Sequence, residues 1–124
     1  MIELVIVIVI LGILASVAIP KFVDLKDDAR AAAIKGVGAA ITSGSANNYA
    51  AKLAGKPTAL TLDQFNVCTP AILSPLLTGG LPAGYSVPPL ATGNCANTSN
   101  DVVDCVIVDS APGMMLTVKV YCAR

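Results

Sequence analysis

Hydrophobic and polar positions divide the chain into three zones. Residues 1–20 read MIELVIVIVILGILASVAIP, and Glu3 is the only charge among them. A bilayer needs about 20 apolar residues in a helix, which this run just meets. Its β-branched richness would suit a strand in water, but a lone segment in lipid must satisfy its own backbone and so becomes helical. Residues 21–53 are polar and helical in character. Phe22, Leu25, Ala29, Ala33, Val37, Ala40, Ile41 and Gly44 recur there at three- and four-residue steps, which is one face of a helix. Lys26 and Arg30 fall on other faces, with Asp24 and Asp28. The stripe is mostly small residues and predicts close approach to another helix or a sheet. Gly55, Lys56 and Pro57 end the pattern. A helix from the N-terminus to Leu53 would be roughly 80 Å long at ~1.5 Å per residue. Residues 54–124 cannot cover such a rod, so other copies must bury it.

The third zone, residues 54–124, is short segments broken by Pro and Gly. Residues 62–65 and 70–77 read as helical turns, and residues 79–84 as a turn cluster. Residues 102–108 and 116–121 are β-rich with Pro112-Gly113 between them, a hairpin signal. Val103, Cys105 and Ile107 alternate with Val102, Val106 and Val108, which predicts cover on both faces. Residues 94–101 are polar and read as a surface loop. The expected fold class is α+β: a long N-terminal α-helix packed on a small C-terminal antiparallel β-sheet.

Composition narrows the function classes. The chain of 124 residues has eight basic and eight acidic side chains, so its formal net charge is zero. That leaves no basic stripe for nucleic acid and no polybasic membrane patch. It has no His, which removes a His base and a His metal ligand. No nucleophile motif, phosphate-binding loop or convergent carboxylate pair is present, so an enzyme is not expected, nor a cofactor. Two Phe and no Trp imply a small compact part. The five Phe and Tyr residues are scattered and suit packing rather than an electron-conducting stack. The cysteines are Cys68, Cys95, Cys105 and Cys122, none spaced as C-x-x-C. An even count behind a membrane segment predicts two disulfides outside the cytosol, with four buried thiols as the alternative.

Three residues in the helix carry most of the signal. A carboxylate inside an apolar helix costs roughly 2.5–3.5 kcal/mol and calls for a partner, so Glu3 is a candidate pairing site. In the bland reading it lies at headgroup depth and needs none. Pro20 removes a helical hydrogen bond, and Gly12 is a second weak point upstream, so the segment between them can kink or extend. Alternatively, Pro20 marks the water boundary of a membrane helix.

The stretch IELVIVIVILGILASVAIPKFVDL, residues 2–25, resembles the N-terminus of type IV pilins and the related pseudopilins, the prepilin-type methylation motif. DDARAAAIKG, residues 27–36, continues the likeness toward a major type IVa-like pilin. The resemblance covers the first third of the chain; the rest agrees in layout. It implies a short basic leader removed by a prepilin peptidase, and an N-methylated Phe as the mature start. The family's start reads F-T-L-I-E, so Ile2 and Glu3 match its last two positions and Met1 takes the place of its Leu. The leader and two mature residues are then expected upstream of Met1. Lys21, Lys26 and Arg30 follow the apolar run, which by the positive-inside rule would put that side in the cytoplasm. The resemblance implies the opposite, with the basic leader inside.

The same resemblance implies roles for named residues. Glu3 pairs with the N-terminal amine of a neighbouring subunit and sets register, since two charges buried together are tolerable and apart are not. The helix around Gly12 to Pro20 loses regularity during assembly. A C-terminal disulfide pins the last strands, a place that Cys105–Cys122 fits, with Cys68–Cys95 following. A four-residue loop at 112–115 would set Cys105 and Cys122 face to face; a tighter turn would make them diagonal neighbours. The pairings 68–105 with 95–122, and 68–122 with 95–105, stay open. Some pseudopilins bind calcium in a C-terminal loop, and Asn100, Asp101 and Asp104 lie near one. Their spacing is not a calcium motif, so no metal site is assigned.

The leading expectation is a structural subunit of a type IV pilus with three regions: a membrane-spanning and filament-core half-helix (1–20), an amphipathic half-helix (21–53) and a disulfide-stapled globular part (54–124). Its partners are itself in a helical homopolymer, the inner membrane, the prepilin peptidase and the pilus assembly machinery. The alternative is a pseudopilin of a type II secretion system, against which the cysteines lean. A third reading is a secreted globular binding protein with a signal peptide cleaved near Ser16-Val17-Ala18.

Overall fold

The computed structural model describes residues 1–88, 93–96, 99, 101–111 and 113–124. The elements are helix α1 (Ile2–Leu53), helix α2 (Pro70–Leu73) with a 3₁₀ turn (Ser74–Leu76), and strands β1 (Tyr85–Ser86), β2 (Val102–Asp109) and β3 (Met115–Tyr121). The three strands form one antiparallel sheet in the order β1-β2-β3. This is an α+β architecture, a long N-terminal helix with a small antiparallel sheet, and it matches the pilin fold. The chain divides into two compact units, Met1–Ala32 and Ala33–Arg124, and the division falls inside α1.

α1 stops where the sequence demands. Gly55 adopts φ 68°, its N–H donates to the Lys52 carbonyl (2.9 Å), and the Lys56 N–H donates to the Ala51 carbonyl (3.0 Å). This pair of bonds satisfies two orphan carbonyls at the helix end. Within the second unit, α1 buries Ile34, Gly38, Ile41 and Ser45. That face is rotated from the expected stripe: Val37 and Ile41 belong to it, but Ala33 and Ala40 are exposed. Phe22, Leu25 and Ala29, which set the phase of the expected stripe, are exposed as well. The small residues that follow carry too little hydrophobicity to fix the phase.

Close packing takes over where side chains are small. A Cβ on Gly38 would meet Leu116 and Val118 of β3, and one on Gly44 would land on the Leu76 carbonyl oxygen. Polar bonds then lock α1 to its neighbours. The Tyr121 N–H donates to Ser45 Oγ (3.3 Å), which donates to the Thr42 carbonyl (2.9 Å). Asn48 clamps Leu60 twice: its Nδ2 donates to the Leu60 carbonyl and its Oδ1 accepts from the Leu60 N–H, both at 2.8 Å. Lys52 Nζ donates to Thr61 Oγ1 (2.6 Å).

The core contains no Phe or Trp. It gathers Ile34, Ile41, Leu62, Val67, Leu73, Val103, Ile107, Val118 and Val120 around all four cysteines, each fully buried. Tyr49, Tyr85 and Leu116 pack at its margin, and the Tyr49 and Tyr121 rings lie 6.1 Å apart, tilted at 41°. On β2 the face of Val103, Cys105, Ile107 and Asp109 is buried, while Val102, Val106 and Val108 are half-buried and Asp104 is exposed, so only one face is fully covered.

Several expectations change. Residues 62–65 form a bend rather than a helical turn, because Leu62 is held as extended chain by its N–H on the Ala123 carbonyl (2.7 Å). Strand β1 was not expected at all. Cys95, read as part of a surface loop, is fully buried. The acidic-loop residue Asn100 and the hairpin residue Pro112 lie outside the described residues.

The disulfides are Cys68–Cys105 and Cys95–Cys122, with Cα–Cα distances of 5.4 and 5.5 Å. The favoured pairing, Cys105–Cys122 with Cys68–Cys95, is therefore corrected, and strand register gives the reason. Cys105 stands opposite Val118, and Val102 opposite Tyr121. The Cys122 N–H donates to the Asp101 carbonyl (2.8 Å), so Cys122 sits four positions along from Cys105. At ~3.4 Å per residue that is roughly 13 Å, beyond the reach of a disulfide. Both bridges instead carry loop segments onto the hairpin. Backbone bonds from Val67 N–H to the Gly93 carbonyl (2.8 Å) and Cys95 N–H to the Gln64 carbonyl (3.1 Å) tie those segments together. The bridged residues are 37 and 27 apart in sequence. In the chain-entropy account, loops of this length stabilise by roughly 3–4 kcal/mol each.

Two measurements follow. Non-reducing peptide mapping is expected to recover Cys68 linked to Cys105 and Cys95 linked to Cys122; a peptide joining Cys105 to Cys122 refutes the register. Thermal unfolding in detergent is expected to separate two glycines. Gly36→Ala, where an added Cβ meets nothing within 4 Å, should gain about 0.5–1 kcal/mol. Gly44→Ala should lose about 1–3 kcal/mol, because overpacking against backbone outweighs the helix-propensity gain.

Candidate assembly surface

Residues 5–10 are six consecutive β-branched side chains, VIVIVI, yet they are helical, as a lone segment in lipid must be. Every large apolar side chain between residues 4 and 25 is at least 52% exposed. Burying one Val, Leu, Ile or Phe side chain contributes roughly 1.5–3 kcal/mol. Leaving the whole run in water thus forfeits a sum larger than the ~5–15 kcal/mol by which a domain is stable. α1 is the one helix among the described residues long and apolar enough to cross a membrane.

Glu3 lies in the first turn of α1, where the helix dipole favours a negative charge. Gly12 faces open space, with nothing within 4 Å of an added Cβ. Pro20 lies inside the helix, which continues unbroken through it. Because Pro has no N–H, the Ser16 carbonyl loses its usual partner one turn on. The Ser16 hydroxyl donates back to the Ile13 carbonyl at 2.7 Å, a local bond that weakens and bends helices. Gly12, Ser16 and Pro20 thus make residues 12–20 the weakest stretch of the apolar rod. Along the axis Glu3, Gly12 and Pro20 stand about 14 and 12 Å apart at ~1.5 Å per residue, so they share no pocket.

The second unit offers a groove of about 450 Å³ between α1 (Gly36, Ala40, Gly44) and the segment holding Leu76, Leu77 and Pro82. Its polar lining is Ser43, Asn47 and Thr78, with neither acid nor base for catalysis. The acids weighed for a cation are occupied by basic side chains. Asp104 pairs across the strands with Lys119 (3.1 Å), and Asp101 with Arg124 (3.8 Å). These exposed pairs add little stability. The four cysteines sit together in the core, away from solvent. Sequence reasoning missed Ser45 and Asn48, whose signal was a polar residue recurring on an otherwise small-residue helix face.

The second unit joins a helix to a small disulfide-bonded antiparallel sheet, and the first is an exposed apolar helix. A stretch of 43 residues, 35% of the chain, is 54% identical to the type IV narrow pilus major component PilA5 of Thermus thermophilus. The match spans 37% of that relative's length, a little over a third. No family model and no solved structure matches the chain. The matched homologue is a type IV pilin, and the long N-terminal apolar helix fits that class.

If the apolar run is a membrane span, one buried cation should weaken it. Ile10→Arg places a charge mid-run at a cost of roughly 2.5–3.5 kcal/mol. The variant is expected to be extracted in larger part than the parent by alkaline carbonate, while the parent stays in the pellet.

Proposed function

We propose that the chain is the structural subunit of a type IV pilus. Its apolar half-helix first holds it in the inner membrane and then bundles with other copies in the filament core. The observation that carries this reading is the exposure of every large apolar side chain between residues 4 and 25. The second unit supports it, since its core draws only on residues from Ile34 onward. A prepilin peptidase and the assembly machinery act on the chain in this reading, and the two disulfides form in the periplasm. The major-component role of the matched relative supports an extended pilus over a short secretion piston.

In this reading Glu3 is neutralised by the N-terminal amine of a neighbouring copy. An unmatched charge in an apolar core costs several kcal/mol. Electron microscopy of sheared surface fractions should show long filaments for the parent. Glu3→Lys should lower filament yield by at least about tenfold, with unchanged chain in the membrane fraction. Unaltered yield in that variant sinks the amine pairing, and short periplasm-bound rods from the parent sink the pilus in favour of a secretion piston.

A further inference from the structure

Burial divides the sulfur of the second unit sharply. All four cysteines are joined in disulfides and fully buried, and none is free. The sulfur still open to ready oxidation is therefore thioether, and this unit has two such groups, Met114 and Met115. They are neighbours in sequence but not in surroundings. Met114 is half-buried and packs against the core cluster, and its carbonyl accepts from the Asp109 N–H (2.9 Å). Met115 opens strand β3 opposite Val108 and is 74% exposed. Successive strand residues point to opposite faces. Leu116 and Val118 face Gly38 of α1, which leaves Met115 on the outer face with Thr117 and Lys119, both exposed.

A thioether is oxidised when its sulfur reaches an electrophilic oxygen, so the rate follows access to that sulfur. The product is a polar sulfoxide, which disrupts an apolar core. Buried without a hydrogen bond, such a group is costly; in water it is solvated. Met115 combines an accessible sulfur with a place where its product meets water, and Met114 has neither. We propose that Met115 is a reversible oxidation site, taking one oxygen atom from hydrogen peroxide ahead of Met114. A lone pair on the Met115 sulfur attacks one peroxide oxygen, the S–O bond forms and the O–O bond breaks. The proton on the transferred oxygen passes to the departing hydroxide, which leaves as water. The thioether loses two electrons and the peroxide gains them, so no further reductant is needed. The outer face carries the added oxygen without disturbing the core, and a sulfoxide reductase can restore the thioether.

This inference stands apart from the pilus reading, and its test needs no filament. The full-length chain in detergent is treated with hydrogen peroxide, quenched with free methionine at intervals, reduced, digested and sequenced by fragmentation mass spectrometry. Oxygen should enter Met115 roughly tenfold faster than Met114. Met115→Leu should abolish the fast uptake at this pair and leave the slow one. Thermal unfolding supplies a second measurement, with glutamine as a polar, uncharged stand-in for the sulfoxide. Met115→Gln should keep the midpoint within about 2 °C of the parent, while Met114→Gln should lower it by roughly 4 °C or more. Equal or faster oxidation at Met114 overturns the assignment, and so does a Met115→Gln chain as destabilised as Met114→Gln. The rate comparison is made on the parent, so it decides the matter even where Met114→Gln fails to fold.

Discussion

Apolar surface that its own unit cannot bury is the constraint from which the other features follow. The run between residues 4 and 19 is helical, rich in β-branched residues and exposed along its whole circumference. A helix apolar all round has no face for water, so it needs lipid or other helices on every side. In either setting most of its backbone is satisfied within the helix, the Ser16 carbonyl opposite Pro20 being the exception.

The second unit meets the opposite problem, too little apolar material. Its core is assembled from Val, Ile, Leu and cysteine, with no large aromatic inside. Small domains of that kind rely on covalent staples. Here the staples do not close the hairpin on itself. They fasten the loop segments around Cys68 and Cys95 to β2 and to the chain after β3. Among the described residues, Leu62 and Val67 are otherwise tied in by single backbone bonds to Ala123 and Gly93, which the bridges reinforce. The clamp of Asn48 on Leu60 plays a similar part on the helix side.

How far the sequence was legible depended on how much hydrophobic contrast each element carried. The long helix, its stop at Gly55 and the strands β2 and β3 were readable because apolar runs, a left-handed cap and β-branched alternation each have one cheap solution. The buried face of α1 was read one position off, since Ala33, Ala40 and Gly44 differ too little from Ile34, Gly38 and Ser45 in neighbourhood to fix a phase. Disulfide pairing failed for a different reason. It hangs on hairpin register, and register hangs on turn geometry that composition does not specify. Strand β1, two residues long, has no periodicity to detect. Of the candidate site, Glu3, Gly12 and Pro20 were visible as departures from an apolar helix, but their spacing along the axis means that no local pocket could ever have announced their role.

Hydrophobicity by itself cannot order such an assembly. Lipid tails are as apolar as Ile or Leu, so moving a helix from lipid to a bundle of its copies gains little from burial. What distinguishes one arrangement from another must be packing and the few polar groups. Along this helix those groups are sparse: Glu3 at one end of the apolar run, Pro20 and the Ser16 carbonyl it leaves unpaired, and the charges that begin at Lys21. A uniform rod of aliphatic residues with rare polar marks can be held by a membrane without being trapped there, and it can adopt a defined register once neighbours supply the complements. The buried core of the second unit begins at Ile34. In the proposed pilus, burial and recognition would thus fall to different groups on the same helix.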